Sequence, residues 1–146
     1  MITVCKSDAS HLHVISEIER ECFSSPWSAS DLASALTNPA FICLSALSGE
    51  KPVGYIMMYN AADEGEIANL AVTKEMRRQG IGEMLMEHAT AMAKDNGVVT
   101  MYLEVRSSNI GAKSLYEKLG YSPIGIRKNY YREPKEDAVV MAKVLK

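Results

Sequence analysis

The run Arg77-Arg78-Gln79-Gly80-Ile81-Gly82 holds the residue types and spacing in this chain best suited to hold a ligand. It follows an apolar strand-like segment, Ile67 to Val72, and precedes a helix whose apolar residues recur at Leu85, Ala89, Met92 and Ala93. A helix start leaves backbone N–H groups without carbonyl partners and presents the positive end of the helix dipole. Gly80 and Gly82 let a ligand approach the backbone closely, and Arg77 and Arg78 add charge that pairs with phosphate oxygens. A diphosphate fits such a turn. The same composition also serves as a plain turn with solvated arginines, so this reading stays open on the residues alone. A nucleoside-triphosphate loop is excluded, because Gly80 is not followed by Gly-Lys-Ser/Thr at the required spacing.

Other chemistry-bearing residues are sparse. Val98 to Val105 alternates, with Val99, Met101, Leu103 and Val105 on one face and Thr100, Tyr102 and Glu104 on the other, so Glu104 is a carboxylate inside a strand. Cys5, Cys22 and Cys43 share no metal-ligand spacing and read as reduced, mostly buried thiols without an activating neighbour. His11 and His13 lie where a helix should begin, so their side chains diverge, and His88 sits mid-helix. No carboxylate or cysteine cluster completes a metal site, and none is expected.

These residues need a frame. Ile2 to Cys5 reads as a short strand, and Ser7 to Ser10 supplies capping side chains for a helix with Leu12, Ile15, Ile18 or Glu19, and Cys22 at helical spacing. Phe23-Ser24-Ser25-Pro26-Trp27-Ser28 breaks that helix. Ser28 with Asp31 forms the start of a second helix that carries Leu32, Ala35 and Leu36 and ends at Asn38-Pro39. Phe41 to Leu47 and Val53 to Tyr59 flank the turn residues Ser48 to Pro52, a hairpin. The acidic stretch Asp63-Glu64-Gly65-Glu66 reads as a loop before the third strand. After the Gly82 helix stops at Asn96-Gly97 comes the Glu104 strand, a helix capped by Asn109 and closed by Gly120, and two strands, Ser122 to Arg127 and Ala138 to Val144, around a loop from Asn129 to Lys135. The order β-α-α-β-β-β-α-β-α-β-β implies a mixed α/β sheet with parallel neighbours where helices cross over, and ligands tend to enter where such strands splay.

The chain has 146 residues, 47% hydrophobic and 23% charged, which predicts one globular domain over 1–146 with one sizeable core. A net charge of -2 argues against a general nucleic-acid binder. The N-terminal residues show no signal-peptide pattern and no apolar run approaches a membrane span, so the expectation is a cytoplasmic protein with no membrane partner.

The element order together with Arg77-x-x-Gly80-x-Gly82 resembles the GNAT superfamily of acetyl-CoA-dependent N-acetyltransferases over nearly the whole chain. A closer resemblance, to bacterial ribosomal-protein N-terminal alanine acetyltransferases of the RimI type, is carried by several separated segments. They include Phe23-Ser24-Ser25-Pro26-Trp27-Ser28, Asn69-Leu70-Ala71-Val72, Leu103 to Asn109, Leu115-Tyr116-Glu117-Lys118-Leu119-Gly120-Tyr121, Asn129-Tyr130-Tyr131 and Glu136-Asp137-Ala138.

The resemblance implies a mostly antiparallel central sheet of about six to seven strands with a V-shaped splay, flanked by about four helices. It implies acetyl-CoA in that splay as donor, with no metal. The backbone of Leu70, Ala71 and Val72 would hold the pantetheine arm, and the amides of Arg77, Arg78, Gln79, Gly80, Ile81 and Gly82 the pyrophosphate. Asn109 and Tyr116 would reach the cofactor too, although Asn109 also serves as a helix cap. Glu104 would be the general base, directly or through water, and Tyr116 the general acid toward the departing sulfur. The alternatives for these two are a salt-bridged strand carboxylate and a packed core tyrosine. Phe23, Pro26, Trp27 and Asn69 would line one side of a peptide groove and Tyr130 and Tyr131 the other, Phe23 being equally suited to pinning its loop to the core.

The implied partner is the N-terminus of a protein, the alanine end of ribosomal protein eighteen of the small subunit, with no direct nucleic-acid contact. Only a neutral amine can attack a thioester, and an α-amine titrates near ~8 against ~10.4 for lysine, so an N-terminus is easier to activate. The alternatives are the same chemistry on lysines or small amines, or a catalytically silent acyl-CoA-binding module.

Overall fold

The computed structural model describes residues 1–145. Its elements are β1 (Ile2–Lys6), α1 (Leu12–Cys22), α2 (Ala29–Thr37), β2 (Phe41–Ser48), β3 (Lys51–Ala61), β4 (Glu64–Val72), α3 (Ile81–Asp95), β5 (Thr100–Arg106), α4 (Ile110–Lys118), β6 (Ser122–Arg132) and β7 (Lys135–Val144). The strands form one seven-stranded sheet in the order β1-β2-β3-β4-β5-β7-β6. All neighbours are antiparallel except β4 and β5. This is the mixed sheet that the element order implies, mostly antiparallel and flanked by helices as the resemblance implies.

Helices cover both faces of the sheet, which explains why the middle of β3 is buried without polar alternation from Pro52 to Met58. Under α3, Ile56, Met58, Leu85, Met86, Met101 and Leu103 form one core cluster. Under α1 and α2, Ile15, Ile18, Leu32, Ala35, Tyr55 and Met57 form the other. Burial of each such large side chain stabilises the fold by roughly 1.5–3 kcal/mol relative to exposure.

The feature that makes a site is the parting of β4 from β5. Their parallel pairing covers only Glu64↔Thr100, Gly65↔Met101 and Glu66↔Tyr102. Beyond it β4 stays with β3 as far as Val72, while β5 stays with β7 as far as Arg106. A β-bulge helps to turn β4 away: Met57 pairs Asn69 and Met58 pairs Ile67, so Ala68 is an extra residue on β4. Such a bulge bends its strand and raises the local twist.

Four expectations are corrected. Asn129 to Lys135 is not a loop; β6 runs through Arg132 and β7 starts at Lys135, leaving a tight turn at the tip. The strand escaped the alternation test because β6 is an edge strand, exposed at nearly every position. Glu64 and Glu66 lie within β4 rather than before it. The α4 crossover does not make β5 and β6 neighbours, because β7 inserts between them. Of the thiols, Cys43 alone is buried, and Cys5 and Cys22 are partly exposed.

Candidate active site

The Arg77–Gly82 turn is built as an open cradle. Gly80 is the N-cap of α3 with φ +79° and no side chain caps the helix, so the first amides of α3 keep their donors free of side-chain partners. A Cβ at Gly80 would meet nothing within 4 Å, so glycine is required there by its left-handed backbone and not by crowding. At Gly54 the reverse holds: a Cβ would lie 3.0 Å from the Ala71 carbonyl and 3.4 Å from Ile81, so β3, β4 and the start of α3 meet through that missing side chain.

Thr73 N–H donates to the Val53 carbonyl at 2.8 Å. Because successive peptide groups of a strand face opposite edges, the N–H and C=O of Val72 face away from β3, toward the parting. The Val72 carbonyl accepts from Arg77 Nε at 3.1 Å. Arg77 Nη2 also donates to Cys22 Sγ at 3.1 Å. The Arg77 guanidinium therefore braces the end of β4 against the end of α1, in contrast to the expected phosphate pairing. Cys22 has a cationic neighbour that the sequence does not reveal, yet burial outweighs it and pushes the thiol pKa up. Arg78, at φ +65°, and Gln79 are exposed on the turn.

Glu104 is two residues beyond the last β4–β5 pair, on β5 where that strand has only β7 as neighbour. Its side chain is 17% exposed and forms an ion pair with Arg127 Nε of β6, across β7. Tyr130 lies against both: its ring is 5.8 Å from the Arg127 guanidinium carbon, and its pKa is raised by burial first and then by Glu104. Arg106, two residues along β5, ties down the hairpin tip. It donates to the Pro134 carbonyl at 2.8 Å, the Glu133 carbonyl at 3.1 Å and Glu136 Oε1 at 3.2 Å, and lies 4.3 Å over the Tyr131 ring.

Tyr116, on α4, is buried, and desolvation with a smaller effect of Tyr131 pushes its pKa up to about 12. Its phenol is therefore protonated throughout the neutral range. Asn109 Oδ1 accepts from the Ala112 N–H at 3.1 Å, so the cap on α4 is real.

The two aromatic groups expected to wall a groove lie on segments that a hydrogen bond joins. Phe23 and Trp27 pack half-buried against the α1–α2 core cluster, and Trp27 meets Phe41 edge-on at 6.3 Å, while Pro26 is exposed. Opposite, Tyr130 is 48% exposed and packs edge-on against Tyr131 at 5.1 Å. Ser24 Oγ donates to the Glu133 carbonyl at 2.5 Å, linking the loop before α2 to the β6–β7 tip.

One residue was missed from the sequence. Glu19 is 1% exposed. Its carboxylate accepts from the Tyr55 hydroxyl, from Asn69 Nδ2 at 2.9 Å and from the Trp27 N–H at 3.0 Å. It joins α1 to β3, to β4 beside the bulge, and to the loop that carries Trp27. The available signal was its place, with Leu12, Ile15 and Cys22, on an otherwise apolar stripe, where a carboxylate must find donors.

The seven-stranded order, the parting after Glu66, the uncapped α3 start and the carboxylate beyond the parting define an acyl-CoA-dependent transferase of the GNAT type. The family model described as Acetyltransferase (GNAT) family matches residues 12–121, and the chain belongs to that family. It is similar to ribosomal protein bS18-alanine N-acetyltransferase of Escherichia coli (strain K12), 33% identical over 144 residues and spanning 97% of each chain. The enzyme of the same name from Haemophilus influenzae (strain ATCC 51907 / DSM 11121 / KW20 / Rd) is 32% identical over 145 residues, 97% of this chain and 98% of the relative. The crystal structure of the Escherichia coli ribosomal-protein alanine N-acetyltransferase superposes with a TM-score of 0.92 at 32% identity, covering 100% of this chain and 95% of that one. The chain is thus an N-acetyltransferase, and enzymes of this family use acetyl-CoA. The open, uncapped α3 cradle fits the pyrophosphate of such a donor.

Proposed function

We propose that this protein acetylates the α-amine of an N-terminal alanine, with ribosomal protein bS18 as its target. The observation that carries the reading is the place of Glu104: a partly exposed carboxylate just past the point where β4 leaves β5. The near-full-length similarity to alanine N-acetyltransferases supplies the choice of substrate.

Acetyl-CoA, when bound, supplies the acetyl group as an activated thioester. The amides from Arg77 to Gly82 and the start of α3 bind its diphosphate, with Asn109 and Tyr116 close to the remainder. The peptide groups of Leu70, Ala71 and Val72 hold the arm along the open edge of β4, and the Val72 N–H polarises the carbonyl under attack. Glu104, directly or through one water, takes the proton that the substrate ammonium must lose before its lone pair can react. Tyr116 returns a proton to the sulfur, and its raised pKa suits this, because the phenol is protonated at neutral pH. Phe23, Pro26 and Trp27 with Asn69 on one side, and Tyr130 and Tyr131 on the other, receive the first residues of the peptide.

The test is a panel of peptides incubated with acetyl-CoA and read by product mass. It contains one peptide with a free N-terminal alanine, one with a blocked N-terminus and an internal lysine, and a polyamine. Acetylation of the free alanine peptide above the others is the expected result. Transfer to lysine or polyamine alone would replace the proposed substrate, and no transfer to any would leave only a binding module.

A further inference from the structure

The reading of Glu104 as general base leaves Arg127 without a role. Arg127 is not part of the turn that binds the diphosphate, and it lies on the edge strand β6, where most side chains face solvent. Its guanidinium nevertheless reaches across β7 to Glu104. A guanidinium does not release a proton at physiological pH, so it cannot take part in the proton transfer. What it does is occupy, with a positive nitrogen, a carboxylate that the substrate's ammonium also needs.

The two partners are unequally held. Glu104 is 17% exposed and held on β5 by its pairing with β7, whereas Arg127 is 60% exposed on a long flexible stem. An exposed arginine paired in this way is bound weakly, because water and salt compete for it. Arg127 also has somewhere to go, since the Tyr130 ring lies beside its guanidinium. We propose that Arg127 is a specificity-determining placeholder: it sits on Glu104 in the resting enzyme and yields that position to the α-ammonium of the substrate. Neutral groups do not displace it. The proton then passes from the substrate nitrogen to Glu104, and Arg127 keeps all of its own.

Glu104 faces Arg127, Tyr130 and Tyr131 of β6, and next to these lie Glu66 on β4, Arg106 on β5, Glu136 on β7 and Tyr116 on α4. Arg106 is engaged by Glu136 and the hairpin carbonyls, which leaves Arg127 as the cation in direct contact with the base.

The experiment is steady-state acetyl transfer to the free alanine peptide by wild type, Arg127→Met and Arg127→Lys, with kcat and the peptide KM determined separately. A cation that must be displaced opposes entry of the ammonium, and an exposed pair of this kind is worth up to about 1 kcal/mol, so in Arg127→Met the peptide KM should fall by about twofold to fivefold. The kcat should stay within about twofold of wild type, because in the complex Arg127 has already left. Arg127→Lys should fall between the two. A loss of kcat or a raised peptide KM in Arg127→Met would show that Arg127 remains with Glu104 during turnover, and no change in either constant would show that the pair is incidental; both overturn the proposal. An unchanged melting temperature in both variants guards against loss of fold. Glu104→Gln separates the two levels: a rate like wild type there defeats the reading of Glu104 itself, while a slow Glu104→Gln with an unmoved peptide KM in Arg127→Met defeats only the placeholder.

Discussion

Glu19 on α1 and Glu104 on β5 are both carboxylates with close partners, and they are held in opposite ways. Glu19 is 1% exposed and receives uncharged donors from Tyr55, Asn69 and Trp27. Glu104 keeps a 17% exposed side chain and has a cation, Arg127, on it. A carboxylate wrapped by buried dipoles gains nothing from moving and cannot meet a substrate; its effect is to fix Asn69 and Trp27, which it touches. A carboxylate at the mouth of an opening, with an exchangeable partner, is placed to meet one. Burial and the mobility of the partner, rather than residue type, separate the structural acid from the chemical one.

Breaking the chemical side should give the largest effect. Glu104→Gln keeps the shape of the side chain but removes the base, and general-base removal typically costs about 10²–10⁴-fold in rate. Steady-state kcat should fall by that order while acetyl-CoA affinity and the melting temperature stay near wild type. Breaking the structural side should give the inverse pattern. Glu19→Ala leaves the buried Tyr55 hydroxyl and the half-buried Asn69 and Trp27 donors unpaired, at a cost of about 3 kcal/mol. For a domain of this size that lowers the melting temperature by roughly 6–12 °C. A kcat loss for Glu19→Ala as large as that for Glu104→Gln, without loss of stability, would reverse the assignment.

Tyr116→Phe sharpens the comparison from the other half of the reaction. Its phenol is buried like Glu19 but is proposed to act like Glu104, and kcat should fall by about tenfold to hundredfold with acetyl-CoA affinity retained. Burial also sets a pH signature. Tyr116 and Tyr131 are each raised from 10.0 to about 12. Between those values the unfolded chain has lost protons that the folded chain keeps, so stability falls as pH rises from 10 toward 12. The melting temperature should drop over that range and respond less in Tyr116→Phe. The smallest effect is expected at the cradle: Gly80→Ala forces a side chain into a left-handed backbone at about 1–2 kcal/mol, with a modest rise in the KM for acetyl-CoA.

Much of this site was legible in the residues. The alternation of Met101, Leu103 and Val105 against Glu104, the glycine turn before α3 and the caps at Ser28 and Asn109 are local signals, and the structure bears each of them out as geometry. What stayed hidden is long-range. The bulge at Ala68 leaves no mark in composition, because it is set by the register between β3 and β4. The insertion of β7 between β5 and β6 depends on a hairpin whose outer strand is exposed on both faces and so has no apolar period. Arg77 looks like a phosphate ligand from its neighbours in sequence, yet its partners are Cys22 and Val72, brought to it by the fold. Glu19 found its donors in the same way, from three different elements.

The most direct test of the division between the two carboxylates is the rate of acetyl transfer to a free N-terminal alanine peptide by Glu104→Gln, with peptide and acetyl-CoA both saturating and folding verified by thermal melting. A rate at least about hundredfold below wild type in a protein of unchanged melting temperature is the predicted result. A rate within about twofold of wild type would contradict it, because each 1.36 kcal/mol of transition-state stabilisation is worth about tenfold and a working base supplies more than that.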